Sequence, residues 1–139
     1  MASPHIHASS SVKRWKGKPQ DYVELHKKMD CSKGYFSSNI HRCLTHTMFW
    51  IKEVMVPLFG DTIINSDGKE VSVTDICTMH VLEDYGMKFV PTVSDWLQEV
   101  EVKKWMIHGM GEVPPSAKKM YPNGVKESDK KRKTIEYKD

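Results

Sequence analysis

The sequence predicts a mainly α-helical single domain of four or five helices with one β-hairpin inserted at about residues 61–73. Three observations predict it. Apolar residues recur at three- and four-residue spacing through residues 36–59, and again from Ile76 to Glu83. Between those stretches, Asp67-Gly68 separates two short runs in which Val71 and Val73 alternate with polar neighbours, a hairpin signature. The 139 residues are 39% hydrophobic and 28% charged, which suits one globular domain with a modest core.

Taken in order, residues 1–18 read as an N-terminal arm, residues 19–108 as the helical domain and residues 109–139 as an extended or disordered basic tail. Pro19 with Asp21 marks a helix start, and Tyr22, Val23, His26 and Met29 follow on one face. From Phe36 to Phe59 the residues Ile40, Leu44, Met48, Ile51, Met55 and Leu58 form a stripe, so one long helix is expected there, ended by Pro57 and Gly60. Thr74-Asp75 reads as the N-cap of a helix that stops at Gly86. Further helices are expected near Thr92–Val100, with Trp96 and Leu97, and near Val102–His108, with Trp105 and Met106.

The net charge of +3 is unevenly spread. Residues 117–139 hold 8 of the 21 Lys and Arg and 4 of the 18 Asp and Glu. The rest of the chain is thus close to neutral, unlike a dedicated nucleic-acid binder. The run Lys130–Lys133 could touch nucleic acid, but it has no interleaved aromatics, and a solvated tail is the preferred reading. No apolar run approaches the ~18 residues of a membrane span, so no membrane association is expected. The first residues carry neither a basic stretch nor an apolar run, so no secretory signal is expected. Cys31, Cys43 and Cys77 form no C-x-x-C pair. A disulfide framework is therefore not expected, and a reducing cytoplasm is the simplest location.

Many short segments occur together in order: His7-Ala8, Ser10-Ser11-Val12, Gly17, Pro19, Asp21-Tyr22, His26, Asp30, Ser32-Lys33, His41-Arg42, Leu44, His46, Phe59-Gly60, Thr62-Ile63, Asn65-Ser66-Asp67-Gly68, His80-Val81, Glu83-Asp84, Gly86, Pro91-Thr92 and Asp95-Trp96-Leu97. In this pattern the chain resembles a family of small bacterial and phage proteins that is catalogued as a domain of unknown function. The resemblance spans roughly residues 7–100. It implies a compact, mostly helical domain in a bacterial host or phage-infected cell, and it brings no activity, substrate or metal. The chain departs from the pattern at Lys16, where a second glycine is expected, and at Gly34, where a helix former is expected.

Histidine and carboxylate recur at helical spacing, and these are the donors that a hard or borderline divalent cation needs. His26 and Asp30 are four apart and share a face, as two ligands or as a histidine oriented by a carboxylate. Alternatively Asp30 caps the long helix and His26 packs beside it. His41 and His46 are five apart, about 140° around a helix, so only one should face a shared site. His41 is the preferred ligand, with a hydrogen-bonded core-edge histidine as the alternative. His80 should face inward with Ile76. Glu83 and Asp84 could join a metal or take a proton from a bound water, or could simply be solvated. His7 could fold back over the site from the arm. Arg42 could hold a phosphate or carboxylate in a two-point contact, or make a structural ion pair.

The expected metal ligands are therefore His26, Asp30, His41, His80 and His7, with zinc as the first choice of divalent ion. The expected catalytic groups are Glu83, Asp84 and Arg42. The function that fits is a metal-binding protein that hydrolyses an anionic, phosphorylated small substrate. The alternative is a non-enzymatic accessory protein acting through a protein partner or homo-oligomer, with Trp and Met side chains as the contact surface.

Overall fold

The computed structural model describes residues 2–36 and 38–125. It is mainly helical with a small two-stranded hairpin. The chain groups into two units, residues 1–100 and residues 101–139. The basic run Lys130–Lys133 lies outside the described residues.

In the first unit the N-terminal segment is a helix rather than an arm. α1 (Pro4–Trp15) starts where the Ser3 hydroxyl accepts from the Ile6 amide and Pro4 takes the first turn. It buries His7, Ala8 and Ser11. Because that inner face is polar or small, hydrophobic periodicity could not reveal it. α1 ends at Lys16, whose φ of 67° and ψ of −159° fall in a region suited to glycine. This is the position where the resemblance leads one to expect glycine.

A clamp of polar contacts then ties this end of α1 to the hairpin. Asn65 Nδ2 donates to the Trp15 carbonyl at 2.9 Å, and Gly17 N donates to Asp67 Oδ2 at 2.9 Å. Asp21 accepts from Lys18 N, Ser66 N and Ser66 Oγ at 2.7–2.9 Å. Tyr22 donates to the Lys16 carbonyl at 2.7 Å. The close approach requires Gly17, since a Cβ there would fall 2.5 Å from Asp21 Oδ2 and 2.9 Å from Asn65 Cβ. Gly17, Asp21, Tyr22, Asn65, Ser66 and Asp67, all among the residues that carried the resemblance, thus meet in one clamp.

α2 (Val23–Met29) buries Leu25, His26 and Met29. Asp30 follows it and makes no side-chain cap. Its carboxylate turns inward and is nearly buried.

The long helix expected over 36–59 is broken. Ser38 caps a short 3-10 turn, Asn39–His41, which leads into α3 (Arg42–Thr45). His46 leaves helical geometry at φ −97°, ψ 49°, and Thr47 is extended. Thr47 Oγ1 then caps α4 (Met48–Trp50) by accepting from the Trp50 amide at 3.3 Å. Threonine is a strong cap and a weak interior helix residue, so the break has a local cause. The helical run continues through a π-type turn at Ile51–Met55 into α5 (Val56–Phe59). Pro57 offers no N–H to the carbonyl four residues back, which the wider turn accommodates. Ile40, Leu44 and Leu58 of the expected stripe are exposed, whereas His41, Thr45, His46 and Thr47 are buried.

β1 (Thr62–Ile64) and β2 (Glu70–Ser72) pair antiparallel with Ile63 opposite Val71. Gly68 takes φ +76° in the connecting loop. α6 (Val73–Asp84) is capped by Ser72, which accepts from Asp75 N at 3.2 Å, and so starts before the expected Thr74-Asp75 cap. Gly86, at φ +63°, follows its end. α7 (Val93–Leu97) carries a reciprocal cap between Thr92 and Asp95. The apolar core of this unit joins α1, α2, the π turn and α6 through Ala8, Leu25, Met29, Ile51, Met55 and Ile76.

In the second unit, α8 (Lys104–His108) ends at Gly109, at φ +71°. Where an extended tail was expected from residue 109, α9 (Pro115–Met120) forms with proline in its first turn. Among the described residues, no helix is long and apolar enough to cross a membrane.

Candidate metal centre

Five histidines, His7, His26, His41, His46 and His80, are buried in the first unit. They arrive from α1, α2, the turn before α3, the break after α3, and α6. Four of them, without His41, lie with Asp30 and Asp84 in two overlapping donor groups. In each group the ligand atoms lie within 4.8 Å of one another.

The larger group is Asp30, His46, His80 and Asp84. His46 Nε2 lies 2.8 Å from Asp84 Oδ2 and 3.6 Å from Asp30 Oδ1. His80 Nε2 lies 3.3 Å from Asp30 Oδ1 and 3.5 Å from Asp84 Oδ2. Zinc bonds to nitrogen and oxygen of about 2.0–2.1 Å imply a tetrahedron with edges of about 3.3–3.4 Å. The four separations bracket that edge, so this cluster of buried His and Asp could hold a metal ion.

The outer nitrogens of the two histidines are hydrogen-bonded, and the outer oxygens of the two carboxylates lie within ion-pair distance of a basic side chain. His46 Nδ1 lies 2.9 Å from Thr45 Oγ1, which lies 3.2 Å from Ser32 Oγ. His80 Nδ1 lies 2.8 Å from His26 Nδ1, and His26 Nε2 lies 2.8 Å from Ser11 Oγ. Lys33 Nζ sits 3.2 Å from Asp30 Oδ2. Asp84 Oδ1 faces His7 Nε2 at 3.3 Å and Arg42 Nη2 at 3.9 Å. Metal ligands are commonly oriented by such outer contacts.

One placement of the hydroxyl protons gives these contacts a direction. Ser11 Oγ donates to the His7 carbonyl at 3.1 Å, and Ser32 Oγ donates to the His41 carbonyl at 2.9 Å. Ser11 then accepts from His26, and Ser32 accepts from Thr45. Following each chain inward, His26 accepts from His80 Nδ1–H and Thr45 accepts from His46 Nδ1–H. A ring with its one proton on Nδ1 presents a bare Nε2. Two bare nitrogens then face two carboxylate oxygens, which calls for a cation between them. The reverse placement, with Nε2–H donating to the carboxylates, closes the network without an ion. It turns the Ser11 and Thr45 hydroxyls onto the imidazoles.

Burial pushes His26 down to about 3, helped by the nearby rings of His80 and His7. Burial also pushes His80 down to about 4, against the pull of the Asp30 contact. Both rings are therefore neutral and fit to bind a cation at neutral pH. Burial alone would raise both carboxyls. For Asp84 the contacts with His46 and His7 and the nearby His80 outweigh it and hold the group well below the usual range. For Asp30 the His80 hydrogen bond and the nearby His80 and Lys33 charges also outweigh burial and lower the carboxyl.

The expected site residues thus fall into three sets. Asp30 and His80 share the four-donor group with Asp84, which was expected to be catalytic. His7 and His26 join His80 in the second group. His41 falls outside both groups. Its Nδ1 contacts Ser32 Oγ at 2.9 Å, and its ring stands edge-on to His46 at 5.4 Å. The geometry groups His46 rather than His41 with the other candidate donors, because the chain breaks at His46 and the 140° separation of a continuous helix does not apply. Glu83 sits at the rim, 3.1 Å from Arg14 Nη1 and 3.8 Å from His7 Nδ1. Arg42 lies against Tyr85, 5.3 Å from the ring centre.

Spacing arguments missed His46 as a candidate donor, together with Ser11 beside His26, Ser32 behind Thr45 and Lys33 beside Asp30. All four lie among the residues that carried the resemblance, the one signal in the sequence that singled them out.

No curated protein and no solved structure matches the chain. A family model described as "Domain of unknown function (DUF6915)" matches residues 2–106, and the chain belongs to that family.

Proposed function

We propose that this chain is a metal-dependent hydrolase that binds a divalent cation, zinc first, through Asp30, His46, His80 and Asp84. The observation that carries the reading is the set of four donor separations from 2.8 to 3.6 Å, close to a tetrahedral edge, in a buried cluster.

The charges support an anionic substrate. Asp30, Asp84 and Glu83 are each within 4 Å of a cationic side chain, Lys33, Arg42 and Arg14 respectively. A dication therefore leaves the cluster with surplus positive charge, which an anion such as hydroxide or phosphate would offset. In this reading the ion lowers the pKa of a water joining as a fifth ligand. Glu83, at the rim, takes the water's proton. Arg42 steadies a phosphorylated small substrate on the Asp84 side.

The test is elemental analysis of untagged protein equilibrated with zinc, followed by a phosphoester hydrolysis assay. At least one zinc per chain is expected in the native protein, and the four-donor ion is lost in His46→Ala and Asp84→Ala. Absence of stoichiometric metal from native protein would remove the proposal. Bound metal with no hydrolysis of any phosphoester would remove its catalytic half.

A second reading, an accessory protein acting through a partner or a second copy, is favoured by exposed Tyr35, Phe36, Ile40 and Leu44, close together in the chain. Light scattering decides it: a monomer at high concentration that captures nothing would count against this reading.

A further inference from the structure

Beside the four-donor site, His7 makes only loose polar contacts, 3.3 Å to Asp84 Oδ1 and 3.8 Å to Glu83 Oε2. His7 is fully buried, yet neither of its ring nitrogens has an aligned hydrogen-bond partner. Its ring stacks on His80 with centres 3.8 Å apart and planes 25° from parallel. A buried imidazole with both nitrogens unspent is costly unless something binds it. His26 presents Nδ1 to the same place, 2.8 Å from His80 Nδ1, while Ser11 holds its other nitrogen. Ligand nitrogens of His7, His26 and His80 all lie within 4.8 Å of one another.

We propose a second divalent cation site formed by His7, His26 and Nδ1 of His80, so that His80 is shared between two ions. This rests on the four-donor reading, because the shared ring supplies its Nε2 there. A donor set made only of imidazole suits zinc or copper rather than magnesium or calcium. An imidazole that coordinates through both nitrogens is an imidazolate. On filling the second site, the His80 N–H bond breaks, a nitrogen–metal bond forms, and the proton leaves to solvent. Asp84 Oδ1, 3.3 Å from His7 Nε2, and Glu83 Oε2, 3.8 Å from His7 Nδ1, add negative charge beside the second ion.

The experiment is zinc stoichiometry by mass spectrometry. Untagged full-length protein is saturated with zinc and freed of excess metal by gel filtration. Two zinc ions per chain in the native protein and one in His7→Ala is the expected result. One ion in both would overturn the second site and leave the four-donor site standing. No ion in either would overturn both. Two ions in both would overturn the assignment to His7. Should His7→Ala fail to fold, His26→Gln takes its place with the same expected drop from two to one, and a native count of one remains decisive against the proposal.

Discussion

If a dication sits among Asp30, His46, His80 and Asp84, removing it should lower the stability of the first unit by a calculable amount. The donors already stand at separations of 2.8–3.6 Å, so the folded chain needs little rearrangement to bind. They come from sequence positions between 30 and 84, so the unfolded chain has no comparable site. An ion present at 100 times its dissociation constant then adds about 2.7 kcal/mol to the folded state. For a unit of about 100 residues, that corresponds to a rise in Tm of about 10–20 °C. The assay is a thermal melt followed by circular dichroism at 222 nm, in excess chelator and in zinc. His46→Ala should reduce the shift sharply. His41→Ala, which leaves both donor groups intact, should lower the melt in both buffers while keeping the shift. A native Tm that is the same in chelator and in zinc would refute the reasoning. So would a shift that survives undiminished in a His46→Ala/Asp84→Ala double variant.

The chelated protein should lose stability as pH falls from about 6.5 towards 4. His26 and His80 ionise in the folded chain at about 3 and about 4, below their unfolded values, so the unfolded chain takes up more protons in that window; melts across the window check this. Cys77, buried with its thiol pushed up to about 12, should resist a thiol reagent at pH 8 until the protein is denatured, whereas exposed Cys31 reacts at once. Lys16→Gly should stabilise the chain by about 1 kcal/mol, because it relieves a non-glycine residue at φ 67°; a urea melt reads this. Gly17→Ala next to it should cost about 2 kcal/mol or more, through a positive φ and a clash with Asp21 and Asn65.

The hairpin was legible because Asp67-Gly68 and the alternation around Val71 are local signals, and local geometry decides them. α6 was legible in outline, and with it the inward-facing His80. Two elements were misread for a shared reason: both bury polar residues. α1 turns His7, Ala8 and Ser11 inward, and its Ser3 cap with Pro4 in the first turn went unread in what was taken for an arm. Around residues 38–47 the chain buries His41, Thr45, His46 and Thr47 and exposes Ile40 and Leu44. A helical wheel drawn on hydrophobicity therefore points the wrong face inward. The His26–Asp30 and His80–Asp84 pairs are each four apart and were found by spacing. His46 was not, because its position depends on a break that only the Thr47 cap explains.

The donors span positions 7 to 84, and no single helix contributes more than two of them. During synthesis, α1 leaves the ribosome long before its histidine can meet the α6 carboxylates. Neither donor group is complete until residue 80 has been made, and the larger one waits for residue 84. If the cluster takes an ion, capture must therefore come late, after the hairpin has folded back on the start of the chain. A nascent chain stalled before α6 would carry the early histidines without the partners that make them selective, open to whichever cation is abundant.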